Sequence, residues 1–137
     1  MTIKNGSIFI QIASYRDPEL RPTLKDLIDK ADNPDRLHIC VCWQHAPIDE
    51  WDHIEEFKND NRFTFIDVDY LDSQGTCWAR NLIQQHYQGE DYTLHLDSHH
   101  RFKKGWDSEC IRMIKQLQKK GHKKPLLTSY IPSYKPD

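Results

Sequence analysis

The sequence predicts an α/β fold, a mostly parallel sheet with helices on both faces. Three observations lead there. Apolar periodicity switches repeatedly between that of a strand and that of a helix, giving about five alternations joined by short connections. No Asn-Gly or Asp-Gly turn separates neighbouring strands, so crossovers rather than hairpins connect them. Acids, imidazoles and arginines recur just beyond the strand ends, where an open parallel sheet places its ligand.

The elements follow in order. Ser7 to Ala13 (Ser-Ile-Phe-Ile-Gln-Ile-Ala) is a β-branched and aromatic run that reads as a buried strand. Leu20, Leu24, Leu27, Ile28 and Ala31 recur at helical spacing. Pro22 is tolerated only in a first turn, so the helix starts near Arg21, and Asn33-Pro34 ends it. Alternation of Leu37, Ile39, Val41 and Trp43 marks a second strand over residues 36–44. A short helix is expected from about Asp49 to Phe57, and a third strand from Phe63 to Asp69.

Asp72-Ser73-Gln74-Gly75 is a turn, after which Thr76 is placed to cap a helix carrying Ala79, Leu82, Ile83 and His86 on one face. Tyr92 to Leu96 forms a fourth strand leading into Asp97-Ser98-His99-His100-Arg101. A helix from about Trp106 to Lys120 and a fifth strand from Pro125 to Tyr130 complete the pattern.

The 137 residues amount to one domain, and a chain of this size removes roughly two-thirds of its unfolded surface from water. With 29% charged residues and a formal net charge of -2, the chain carries no electrostatic footprint for nucleic acid or an anionic membrane. Cys40 and Cys42 share one face of a strand, and no C-x-x-C pair exists. These features read as free thiols in a reducing compartment. The polar stretch from Met1 to Ser7 contains no apolar leader, so a cytoplasmic protein is expected.

Asp97-Ser98-His99 carries the sharpest chemical signal. Residues two apart in extended backbone project to one face, so Asp97 and His99 can converge on a cation. A carboxylate oxygen with an imidazole nitrogen suits Mn²⁺, and suits Mg²⁺ less well. Two protein ligands leave an octahedral shell incomplete, and phosphate oxygens and water would fill it.

A second element is Gly75-Thr76-Cys77-Trp78-Ala79-Arg80-Asn81, where a helix start can seat a phosphate. There Arg80 can add a guanidinium, and Trp78 a flat face for a sugar or base. Beyond the first strand, Tyr15 can stack on a base, Arg16 can meet a phosphate, and Asp17 reads as the cap of the following turn. Trp106 reads as core and Asp107 as a helix cap. The basic run from Lys119 to Lys124 reads as a solvated helix end, and His38, His53, His86 and His122 lack partners at ligand spacing. The absence of G-x-x-x-x-G-K-[ST], of G-x-G-x-x-G after the first strand and of G-x-S-x-G argues against P-loop enzymes, dinucleotide dehydrogenases and α/β hydrolases.

Four segments, taken together and in order, are more specific than any one motif. They are Ile8 to Asp17 (IFIQIASYRD), Val41 to Gln44 (VCWQ), Gly75 to Arg80 (GTCWAR) and His95 to Asp107 (HLDSHHRFKKGWD). Over about residues 7 to 131 the chain resembles the polypeptide α-N-acetylglucosaminyltransferases of glycosyltransferase family 60, whose best-known members modify hydroxyproline on a cytoplasmic ubiquitin-ligase adaptor.

The resemblance implies a GT-A fold, UDP-N-acetylglucosamine (UDP-GlcNAc) as donor, a divalent cation, and transfer with retention to a hydroxyl acceptor on a protein or glycan. By position, Asp97 and His99 match the family's metal-binding D-x-H, and Ser98 lies between them. Ser14, Tyr15 and Arg16 match its nucleotide-side loop, with Gln44 at the end of the second strand beside it. Arg80 matches the arginine facing the donor's diphosphate or sugar, so Arg80 and Asp97 are the residues expected to carry catalysis.

A full domain of this type is longer, so residues 1–137 are expected to form its N-terminal, nucleotide-sugar-binding half without the acceptor half. An uncovered half-domain face would favour self-association. The alternatives are a non-catalytic nucleotide-sugar-binding fragment or remnant, and a metal-dependent phosphohydrolase using Asp97, His99 and Asp69.

Overall fold

The computed structural model describes residues 5–129 and 132–136. Its elements are β1 (Ile8–Tyr15), α1 (Leu20–Lys30), β2 (Leu37–His45), β3 (Phe63–Asp69), α2 (Thr76–Gln84), β4 (Tyr92–Asp97) and α3 (Trp106–Lys119). Among the described residues the strands form one four-stranded sheet in the order β3-β2-β1-β4. All three pairings are parallel, with Ala13 aligned to both Cys42 and Asp97. The chain moves outward from β1 through β2 to β3, then crosses back to place β4 on the other side of β1. That reversal makes the carboxyl ends of β1 and β4 the topological switch point of the sheet, the place where such folds bind their ligands.

Strand alternation divides the core into two layers. Ile8, Ile10 and Ile12 of β1 and Leu37, Ile39, Val41 and Trp43 of β2 pack with α1 and α3 through Leu24, Leu27, Trp106 and Ile111. The opposite face carries Phe9, Cys40 and Cys42 against Ala79 and Ile83 of α2. The two central strands are therefore apolar on both faces, as a sheet covered on both sides requires. Cys40 and Cys42 share a face and are free, and burial raises their thiols to about 12 and about 11. Among the described residues no helix is long and apolar enough to cross a membrane.

Several local expectations change. Residues 49–57 do not make a regular helix; Asp49 and Asp52 close turns, and only a 3-10 turn at Glu55–Phe57 is helical. The carboxylates of Asp49 and Asp52 are held by Arg16 and by the Trp43 indole, while Ile54 and Phe57 are buried and Ile48 is exposed. Tertiary anchors at those spacings are incompatible with one helical apolar face. Thr76 does not cap α2: Gly75 occupies that position at φ 99° and ψ 176°, backbone that a residue with a Cβ rarely adopts. His86 lies exposed past the end of α2.

The expected fifth strand does not form over residues 125–129, and Tyr130 lies outside the described residues. Pro125 contributes no N–H, and adjacent Leu126 and Leu127 do not alternate as a half-buried strand would. The run from Lys119 to Lys124 is exposed, as expected.

Trp106 is core, its indole donating to the Leu27 carbonyl at 3.0 Å. Asp107 is fully buried, but it does not act as the cap of its own helix. Its carboxylate accepts from the amides of Asp32 (2.8 Å) and Asn33 (3.0 Å) and from Arg36 Nη2 (2.9 Å), tying the start of α3 to the chain leaving α1. Gly105 makes this approach possible: its amide donates to the Lys30 carbonyl at 2.7 Å, and a Cβ there would lie 3.2 Å from the Asp32 carboxylate. Burial pushes the Asp107 carboxyl up, but bonds from the Asp32, Asn33 and Ser108 amides and from Arg36 outweigh it, and the net shift is down.

Two outcomes follow for Asp107. Replacement by Ala leaves the Arg36 charge and two amides unpaired, and should cost about 3–5 kcal/mol in denaturant unfolding. A carboxyl whose folded pKa is depressed stabilises fully above its unfolded pKa and loses that contribution as pH falls through the folded value. Melting temperature should therefore fall more steeply below about pH 4 in the wild type than in Asp107→Asn, measured from pH 7 downward.

Candidate functional site

Parallel pairing sends the residues after β1, β2, β3 and β4 to one edge of the sheet, and the candidate site is built from them. At the end of β1, Ser14 is buried, and its hydroxyl has no hydrogen-bond partner among the described residues. Tyr15 is half exposed. Arg16 adopts φ 45°, an uncommon left-handed conformation for a non-glycine residue, stabilised by its amide donating to the Gln44 carbonyl at 2.9 Å. That bend turns its guanidinium onto Asp49 in a two-point bond (2.6 and 3.0 Å) and over the Tyr70 ring at 4.9 Å. The hydrogen bond to Arg16 lowers the Asp49 carboxyl. Arg16 thus stands in the expected loop with its charge already matched.

Gln44 is buried at the end of β2. Its Nε2 donates to the Ser14 carbonyl at 3.1 Å and its Oε1 accepts from the Ser73 hydroxyl, so one amide joins the loops after β1 and β3. His45 stacks on Trp43 with ring centroids 3.5 Å apart, and its Nε2 lies 2.6 Å from Asp67. Beneath them the Trp43 indole donates to Asp52 at 2.8 Å, and burial raises the Asp52 carboxyl. Asp69 accepts from the Leu71 amide at 2.9 Å, capping the 3-10 turn Tyr70–Asp72.

The sharpest expectation falls at the end of β4. Asp97 and His99 both project into the open, with side-chain exposures of 69% and 59%, while Ser98 between them is buried. His99 Nε2 lies 4.0 Å from one Asp97 oxygen and Arg80 Nη2 lies 4.0 Å from the other. Arg80 reaches this point from the second turn of α2, whose N-terminus at Gly75 has no side-chain cap. Trp78 is partly buried against the α2-side core, so much of its ring is already used in packing. Among the described residues no group of three or more His, Cys, Asp or Glu side chains is arranged to hold a metal.

The sequence reading missed what holds this loop. Asp17 was expected to cap a turn, and its Oδ1 does accept from the Glu19 amide at 2.9 Å. Its Oδ2 also accepts from the Ser98 hydroxyl at 2.6 Å and lies 2.9 Å from His99 Nδ1. Burial pushes the Asp17 carboxyl up, and these bonds outweigh it, for a net shift down. Three further residues, from the N-cap of α1 to its middle, continue the seam. Glu19 pairs with Arg101 at 2.9 Å, Thr23 bonds both the amide and carbonyl of His100, and Asp26 accepts from the Phe102 amide at 2.6 Å.

A signal for this seam exists in the sequence, since Glu19, Thr23 and Asp26 recur at helical spacing beside the Leu20, Leu24, Leu27 stripe. Burial lowers His100, which the charges of Asp26 and Asp97 only partly offset. Burial and nearby Arg80 lower His95. His38, for which no partner was foreseen, is buried between Glu90 (2.8 Å) and Thr64 (3.0 Å) and is structural.

The arrangement therefore offers one carboxylate, one imidazole and one guanidinium, converging without close bonds to one another, at the switch point of the sheet. Such a set is suited to a cation and a polyanionic ligand. Comparison with curated proteins and with solved structures finds no match. The sequence model of the family described as "Glycosyltransferase (GlcNAc)" does match, in two stretches, residues 7–57 and 50–137, which overlap in the turns between β2 and β3. These stretches take in β1, the switch point and all of the D-x-H loop, and the chain belongs to the GlcNAc glycosyltransferase family.

Proposed function

We propose that this chain binds UDP-GlcNAc with a divalent cation and forms the donor side of a retaining transfer of N-acetylglucosamine to a hydroxyl on a protein, as in the hydroxyproline-modifying transferases it resembles. The observation that carries the reading is the convergence of Asp97, His99 and Arg80, with Asp97 4.0 Å from each of the other two, at the end of β4 and the switch point between β1 and β4.

The donor set fits the cation. A carboxylate oxygen and an imidazole nitrogen stand in the open with room between them, and mixed oxygen and nitrogen donors suit Mn²⁺ better than Mg²⁺. Asp97 and His99 would hold it, and it would supply charge neutralisation at the departing diphosphate. Arg80 would add a fixed positive charge to the same phosphates as negative charge grows on them. Tyr15, half exposed, is the ring available to a base; Ser14, Arg16 and Gln44 shape the nucleotide-side loop, Arg16 through Asp49. Trp78 and Ser98 support the floor of the site.

In this reading the 137 residues are the nucleotide-sugar half of a GT-A domain, working in the cytoplasm with an acceptor half beside them. The edge at β4, which pairs with no further strand among the described residues, would be the route to self-association. A phosphohydrolase centred on Asp97, His99 and Asp69 is disfavoured, because Asp69 is engaged in capping its own turn.

Calorimetric titration of UDP and UDP-GlcNAc, with Mn²⁺ and with EDTA, should show binding that requires the metal. Combining Asp97→Ala with His99→Ala should abolish it, and a well-folded wild-type chain that binds neither ligand would sink the reading. Arg80→Ala should weaken UDP-GlcNAc by about 1.5–3 kcal/mol, roughly ten- to a hundred-fold, as expected for loss of a bond to a charged group. Equal weakening of uridine, which lacks phosphate, would remove Arg80 from that role.

A further inference from the structure

Resting on the donor-site reading above, we infer that Asp17 is a positioning residue for the metal: its carboxylate holds the His99 imidazole as the Nδ1–H tautomer, so that Nε2 presents its lone pair on the side of Asp97. Asp17 Oδ2 lies 2.9 Å from His99 Nδ1, and Nε2 of the same ring lies 4.0 Å from Asp97 Oδ2. A carboxylate only accepts hydrogen bonds, so a bond of this length places the proton on Nδ1. A neutral ring protonated there has one nitrogen left to act as a ligand, and that nitrogen is Nε2.

Asp17 is itself held in place. Its Oδ1 accepts from the Glu19 amide at 2.9 Å, and Oδ2 also receives the Ser98 hydroxyl at 2.6 Å. Its side chain is only 16% exposed against 59% for His99, so the buried member of the pair orients the open one. Carboxylates that orient metal-binding imidazoles in this way raise metal affinity without touching the metal. The bond also links the loop after β1 to the loop after β4 across the switch point, so two loops distant in sequence set one ligand.

The geometry distinguishes charge from shape. In Asp17→Asn a single carbonyl oxygen must serve either the Glu19 amide or His99. With the oxygen kept on Glu19, the amide NH₂ faces His99 Nδ1, and the ring can accept it only by moving its proton to Nε2. The nitrogen facing Asp97 then loses its lone pair. Asp17→Glu restores a carboxylate of similar reach.

The test uses the full chain. Nitrogen-15 NMR of labelled histidine, at about pH 8 where an ordinary imidazole is neutral, reads the tautomer without metal, with His99→Ala assigning the signal. Electron paramagnetic resonance titration reads Mn²⁺ binding in the presence of UDP, and a thermal melt confirms folding. The expected result is Nδ1–H at His99 in the wild type and Nε2–H in Asp17→Asn. Mn²⁺ affinity in that variant should fall about 10–100-fold, with part of both effects recovered in Asp17→Glu. An Nε2–H tautomer in the wild type, or wild-type Mn²⁺ affinity in folded Asp17→Leu, where no oxygen is left to hold Nδ1–H, would overturn the inference. A wild-type chain with Nδ1–H at His99 that takes up no Mn²⁺ would overturn the donor-site reading and the metal role of Asp17 with it, while leaving the hydrogen bond in place.

Discussion

Parallel pairing points the carboxyl ends of all four strands the same way, and with β1 flanked by β2 on one side and β4 on the other, the chain must reverse direction around it. Everything chemically interesting in the molecule depends on that constraint. The reversal brings the loops after β1 and β4 side by side at the switch point, where such sheets place their ligands. Ala13 aligned with Asp97 puts the Ser14–Asp17 loop level with the D-x-H loop, within reach of side-chain hydrogen bonds. Burial of β1 and β2 on both faces makes this frame rigid, because any slip in register would carry apolar side chains to the wrong layer.

Within the frame, most charged groups are already matched. Arg16 is taken by Asp49, Arg101 by Glu19, His45 by Asp67 and Asp107 by Arg36 and two amides. Asp97 and Arg80 differ, lying 4.0 Å apart and too far for a hydrogen bond, while His99, held by Asp17 through Nδ1, has its Nε2 4.0 Å from Asp97. Groups held near one another without satisfying one another are available to a ligand. The buried polar seam from Asp17 to Asp26 serves that availability, since it fixes the backbone of residues 98–102 and leaves the side chains of Asp97 and His99 free on the open side. Family membership implies a nucleotide-sugar donor and an acceptor, and the proposed reading places that donor beside this pair.

Much of this was legible in the residues alone. Period-two runs from Ile8, Leu37, Phe63 and Tyr92 and helical stripes from Leu20, Ala79 and Trp106 gave the elements close to their final bounds. Asp97 and His99 were recognisable as a pair from their two-residue spacing after an apolar strand, although only Asp97 lies in β4 and His99 falls in the bend that follows. The failures share one cause. Residues 49–57 contain a helix-like pattern, yet tertiary bonds to Arg16 and Trp43 decide their shape. Asp107 has the look of a cap but serves a neighbouring loop. The strand expected at 125–129 needed pairing that the local pattern cannot supply.

Apolar periodicity, the crossover-length connections and the spacing of the D-x-H loop are local or near-local properties, so the sequence by itself determined the α/β class, the layering and the pairing of Asp97 with His99 as candidates. Tertiary structure alone decided the strand order, hence the switch point between β1 and β4. It also neutralised Arg16, left Arg80 open, and set Asp17 against His99 across 82 residues of chain. These are questions of which distant groups meet. Side-chain pairing at that separation depends on register and crossover direction summed over the whole sheet, which no short window of sequence encodes.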